Sequence, residues 1–142
     1  MPTYTPPLRD MQFVMHEVLQ VTDDFRAMPR HAEVDVDTIN AVLEEGGKFA
    51  SEVIQPLNAS GDLEGCRLDR DTHAVTTPKG FKEAYAKYIE GGWPALSAEP
   101  AYGGQGLPIV VNQCFYEMLN SANQAWTMYP GLTHGAYEAL HA

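Results

Sequence analysis

The chain has 142 residues, 44% of them hydrophobic, and a formal net charge of −10 from 19 acidic against nine basic side chains, a length that suits one domain with one sizeable core. So few, scattered cations exclude a nucleic-acid partner and a polybasic membrane contact. No run of about 18 apolar residues and no signal-like start is present, so no membrane span is expected and the location expected is cytoplasmic.

After an extended arm at Pro6-Pro7, Asp10 is placed to cap a first helix with Met11, Val14, Met15, Val18, Thr22 and Phe25 on one face, ending before Pro29. Phe13 and Val21 fall off that stripe, free to meet another domain or a second subunit. The second helix has the clearest period, through Ile39, Val42, Leu43, Phe49, Ala50, Val53, Ile54 and Leu57, with Asp37 as the expected N-cap. Gly46-Gly47 inside it costs about 1 kcal/mol per glycine against alanine, which points to close approach by another helix. Pro56 signals termination a few residues on.

Between Asn58 and Pro78 the pattern changes to short alternating runs, Cys66-Arg67-Leu68 and Ala74-Val75-Thr76, which predict a small β-hairpin turning near Asp69 to Thr72. Thr77 or its neighbour then caps a third helix starting at Pro78, with Phe81, Ala84, Tyr85 and Tyr88 on its buried face.

Glu99 to Pro108 packs two prolines and three glycines ahead of an amphipathic segment. Gly103, Gly104 and Gly106 accept positive φ cheaply, and Pro108 suits a first helical position. A phosphate cradle competes with a plain turn, but the Lys-Ser/Thr ending of a P-loop and the preceding strand are missing. The fourth helix, Pro108 to about Ala122, sets Val110, Cys114, Met118 and Ala122 on one stripe with Phe115 and Leu119 beside it, and Asn112, Gln113, Glu117 and Asn120 elsewhere. Pro130-Gly131 then predicts a start or kink of a fifth helix, in which Leu132, Thr133, Ala136, Tyr137 and Leu140 are spaced helically up to an uncapped end.

Cys66 and Cys114 match no metal-ligand spacing and are expected to be free thiols. His16, His31, His73, His134 and His141 form no spaced ligand set, and there is no Gly-x-Ser-x-Gly elbow. No metal site and no catalytic residue is assigned.

Taken together, Gly91-Gly92-Trp93-Pro94-Ala95-Leu96, the Glu99–Pro108 loop and the later Thr133-His134-Gly135 stand in an order that resembles the amino-terminal helical domain of flavin-dependent acyl-CoA dehydrogenases. The opening Tyr4 to Phe13 resembles the extension of the larger bacterial branch. The resemblance implies a mainly α fold with a small hairpin, residues 1–142 as one domain whose first 35 hold the branch extension and first helix, and a middle β domain and second helical domain outside this chain. It implies an acyl-CoA substrate, FAD in the intact protein, an electron-transfer partner and a homo-oligomer. The base that removes the α-proton is in the family a glutamate of the later domain, so this part alone is expected to be inactive.

The same resemblance sets Trp126, Thr127, Pro130, Gly131 and His134 along the wall of the acyl pocket. Their chemistry suits a wall: Gly131 leaves a gap, Pro130 bends its edge, and Trp126 closes one end. An ordinary core role for Trp126, Tyr129 and Tyr137 competes with this. No carboxylate stands at an obvious orienting position for His134, so packing is its simpler reading. A flavin oxidase or monooxygenase on the same scaffold, and a helical interaction module without chemistry, are the alternatives.

Overall fold

In the computed structural model, residues 3–141 are described, and the architecture is mainly helical with one two-stranded hairpin. Helix α1 spans Leu8–Phe13, passes into a π-helical turn at Val14–Val18, and is followed by α2 at Val21–Arg26. The expected single stripe is broken here. A π turn holds more residues than an α turn, and Gln20 then takes a left-handed φ of 51°, so the inward face restarts at Val21 and Phe25. Met11, Met15, Val21 and Phe25 are buried, while Val14 and Val18 are exposed. Phe13 is exposed at 51%, off the buried face as its spacing indicated. Asp10 does not cap: the helix begins two residues earlier, after Pro7, and Asp10 lies in its first turn.

Helix α3, Val36–Lys48, is capped by Asp35 rather than Asp37, the Asp35 carboxylate accepting the Thr38 N–H at 2.8 Å. It continues as a second π segment, Phe49–Ile54, and Pro56 is followed by α4, Leu57–Glu64, so helix extends well past the expected stop. The glycine pair marks a seam. A Cβ on Gly46 would stand 2.7 Å from Phe115 Cδ2, and one on Gly47 would press on Pro6 and Leu8, so all three side chains lie against bare backbone.

The hairpin pairs β1, Arg67–Leu68, antiparallel to β2, Val75–Thr76, with Leu68 opposite Val75. Asp69 closes its turn by accepting the N–H groups of Asp71 and Thr72, each at 2.9 Å. Helix α5, Phe81–Glu90, starts three residues later than Pro78 because Gly80, left-handed, occupies the N-cap position. Phe81, Ala84 and Tyr88 are buried and Tyr85 half-buried.

The last helix, α6, runs Ile109–His141. Its first part buries Val111, Phe115, Met118, Leu119 and Ala122, and also Asn112, which its polarity had placed on the outer face. The first stretch ends at about Ala122 as expected, at Asn123, where φ is −164° and ψ 90°, but no break follows at Pro130, which lies inside continuous helix beyond it. An aromatic cluster fills the centre: Trp93 stacks on Phe115 at 4.5 Å, and Trp126 meets Tyr88 edge-on at 5.5 Å.

Candidate functional site: the helix restart in α6 and the glycine loop

The glycine loop resolves its own two readings. Gly103, Gly104, Gln105, Gly106 and Leu107 donate their N–H groups to the carbonyls of Pro100, Glu99, Ala95, Ala98 and Leu96, at 2.8 to 3.0 Å. Those donors are spent inside the loop, so it is a knot of backbone and not a cradle for phosphate. Gly103 and Gly106 take φ of 82° and 68°. Gly104 does not; its need is space, since a Cβ there would collide with the Ala98 carbonyl. The loop is tied to the end of α6 by the Glu99 N–H donating to the Tyr137 hydroxyl at 3.0 Å. The Glu99 carboxylate meets Arg30 at 3.0 Å and His141 at 3.2 Å.

Beyond Asn123, helical spacing sets Thr127, Pro130, Gly131 and His134 as a row of neighbours. Thr127 and Pro130 are buried, Gly131 and His134 half-buried. Tyr116, from the first part of α6, faces this row: a Cβ on Gly131 would lie 3.8 Å from its Cε1, an ordinary contact, and its ring centroid is 5.7 Å from that of His134. Burial raises the Tyr116 hydroxyl above its usual pKa, so it stays neutral near pH 7. A carboxylate does stand near His134, contrary to the sequence expectation: Glu138, one turn on, at 3.8 Å.

Trp126 stands apart from that row. It is 0% exposed, its indole N–H donates to the Phe81 carbonyl at 3.2 Å, and its ring meets Phe49 and Tyr85. Its geometry is that of a core aromatic, yet it also lines a mainly apolar cavity of about 340 Å³ with Thr77, Phe81, Lys82, Tyr85 and Tyr129. Of the five sequence-predicted residues, Trp126 alone lines this cavity. Tyr129 is 40% exposed, unlike a core residue. Its hydroxyl and the exposed Cys66 thiol are 3.4 Å apart, and that hydrogen bond, with some burial, raises the Tyr129 pKa. Cys66 and Cys114 are both free thiols.

Sequence reasoning missed Asn123, Tyr116 and Glu138. The signal for Asn123 was an asparagine three residues ahead of Trp126, the spacing of an N-cap and the backbone N–H it accepts; for Glu138 it was the four-residue step from His134. Tyr116 had no signal, because its place depends on the direction α6 takes after the break. Among the described residues no group of three or more His, Cys, Asp or Glu could hold a metal ion, and no helix is long and apolar enough to cross a membrane.

No family model matches the chain. Among curated proteins it is similar to 3-methylmercaptopropionyl-CoA dehydrogenase of Ruegeria pomeroyi, 39% identical over 97% of this chain and 23% of that protein. A broad-specificity linear acyl-CoA dehydrogenase of Mycobacterium tuberculosis is 32% identical over 90% of the chain and 21% of its own length. Butyryl-CoA dehydrogenase of Syntrophomonas wolfei is 32% identical over 94% of the chain and 22% of its own length. The chain thus spans under a quarter of the length of each relative. Along nearly its whole extent, this chain is a relative of the acyl-CoA dehydrogenases.

Proposed function

We propose that residues 1–142 form the amino-terminal helical domain of an FAD-dependent acyl-CoA dehydrogenase, in which α6 beyond Asn123 walls the acyl pocket. The intact protein oxidises an acyl-CoA thioester at its α,β-bond in the cytoplasm, and this domain alone is inactive. The observation that carries the reading is the row Thr127, Pro130, Gly131 and His134, partly open at a glycine, in a chain whose relatives are all named for CoA thioesters.

The work of this chain is steric and apolar. Buried Trp126 and Pro130 back the row from the core side, while half-buried Gly131 leaves room that a side chain would fill. Thr127 adds no free donor to that side of the chain, because its hydroxyl is spent internally, on the Asn123 carbonyl at 2.9 Å. For the flavin, the glycine loop provides no diphosphate cradle, its donors being spent; this domain covers one side of the cofactor, and most of its site is assigned to the rest of the intact protein. When bound, flavin accepts the hydride from the thioester. Exposed Phe13 and Leu132, 51% and 75% accessible, suit contacts with further domains, a second subunit or the electron-transfer partner.

The test is anaerobic addition of acyl-CoA thioesters to the intact protein. Yellow protein that bleaches and stays bleached until an electron acceptor is added supports the reading. Rapid reoxidation by air supports the oxidase alternative, and colourless protein that leaves the thioester unchanged supports the interaction module.

A further inference from the structure

Asn123 is 1% exposed, and each of its polar groups that the mid-helix break frees has a partner. Its side-chain oxygen accepts the Trp126 N–H at 3.0 Å, its side-chain amide donates to the Ile54 carbonyl at 3.5 Å, and its backbone carbonyl accepts the Thr127 hydroxyl. The orientation of the amide is fixed by chemistry, since only the oxygen can accept from a backbone N–H. This is an N-cap placed in the interior, restarting a helix in mid-span.

Its partner is irregular too. Ile54 ends the second π segment, and Asn58, whose N–H would reach Ile54 in an unbroken α-helix, donates to Gln55 at 3.0 Å instead. One buried amide therefore joins the irregular points of two packed helices. The restarted turn also depends on this cap for a second reason: Pro130 has no N–H to offer the Trp126 carbonyl, its ordinary partner one turn back.

We infer that Asn123 is a positioning residue that sets the direction of α6 beyond the break, and through it the acyl-length preference of the pocket. It touches neither substrate nor reacting atoms; it acts through Thr127, Pro130 and Gly131. This inference rests on the wall reading above. Its consequence is that specificity is decided partly at the buried interface between α6 and the Phe49–Ile54 π segment, behind the row itself.

The experiment measures kcat and KM of the intact enzyme over a series of acyl-CoA chain lengths, with Tm, for Asn123→Ala, Asn123→Ser and Gly131→Leu. Serine keeps the capping oxygen and alanine removes it. Asn123→Ala is expected to flatten the length preference by about tenfold, mainly through KM, and Asn123→Ser to retain most of the wild-type profile. Gly131→Leu is expected to move the optimum to shorter chains. Should Asn123→Ala not fold, Thr127→Val, which removes the second tie, is read on the same series and is expected to flatten it more weakly. A profile for the alanine variant, or for Thr127→Val in its place, that is parallel to wild type while Gly131→Leu shifts its optimum overturns the inference and leaves the wall reading intact. Unchanged profiles in all variants overturn the wall reading, and this inference with it.

Discussion

The two halves of α6 both carry apolar side chains but put them in opposite circumstances. Before Asn123 the apolar side chains interlock: Val111, Phe115, Met118 and Leu119 are fully buried, and Phe115 lies on the bare backbone of Gly46. After it, Trp126, Thr127 and Pro130 are buried, but Met128 and Leu132 are 60% and 75% exposed and no later described residue is buried. Apolar character in the first half answers to packing within this domain. In the second, past Trp126, Thr127 and Pro130, it is left largely at the surface, and that is the stretch the proposed wall function concerns.

The contrast predicts unequal costs of mutation. The largest belongs to Phe115→Ala, which empties the seam between α3 and α6 and is expected to destabilise by about 3 to 5 kcal/mol in denaturant unfolding. Gly46→Ala attacks the same seam by overpacking. Its Cβ would force the Phe115 ring to move, at about 1 to 3 kcal/mol, offset by about 1 kcal/mol of helix propensity, so a modest loss of stability is expected, relieved by adding Phe115→Leu. An equal loss from the same substitution in the second half, Gly135→Ala, whose added Cβ meets no neighbour within 4 Å, would erase the distinction between the halves.

A smaller effect lies at the start of α3. Hydrogen bonds from Thr38, chiefly from its side chain and then its backbone N–H, hold the Asp35 carboxyl below its ordinary pKa. A depressed native pKa means the contribution is complete above the unfolded value of about 3.9 and is lost as pH falls through the lower native value. Asp35→Ala is therefore expected to lower Tm by a constant amount between about pH 5 and 7, a gap that closes in acid. Smallest of all, Leu132→Ser is expected to change the stability of these 142 residues by less than about 0.5 kcal/mol, because that side chain has no packing here to lose.

Much of this was legible in the sequence, for a physical reason. The hairpin, the core face of α5 and the glycine seam follow from alternation, period and the absence of a side chain, which are local properties. What escaped were the departures from the α period. Val14 and Val18 fit a 3.6-residue repeat and are exposed, because the chain takes a π turn there and no residue type announces one. Asp37 and Asp10 were reasonable caps, displaced because the chain entered each helix earlier. Pro130 looked like the breaker of α6, yet its fixed φ suits a helix and only one hydrogen bond is forfeited; Asn123, to which the sequence reading gave no role, makes the break. The five wall residues were named from a resemblance. Their arrangement, four in a row and Trp126 turned into the core, needed the structure.

The wall reading is tested most directly by the acyl-length profile of kcat/KM in the intact enzyme, compared between wild type and Gly131→Leu. A bulky side chain beside Tyr116 removes space for the alkyl tail, and each methylene refused is worth about 1 to 3 kcal/mol, so the account predicts loss of the longer substrates by tenfold or more with short ones nearly unaffected. A profile that keeps its shape, whether activity is retained or falls uniformly, would contradict it.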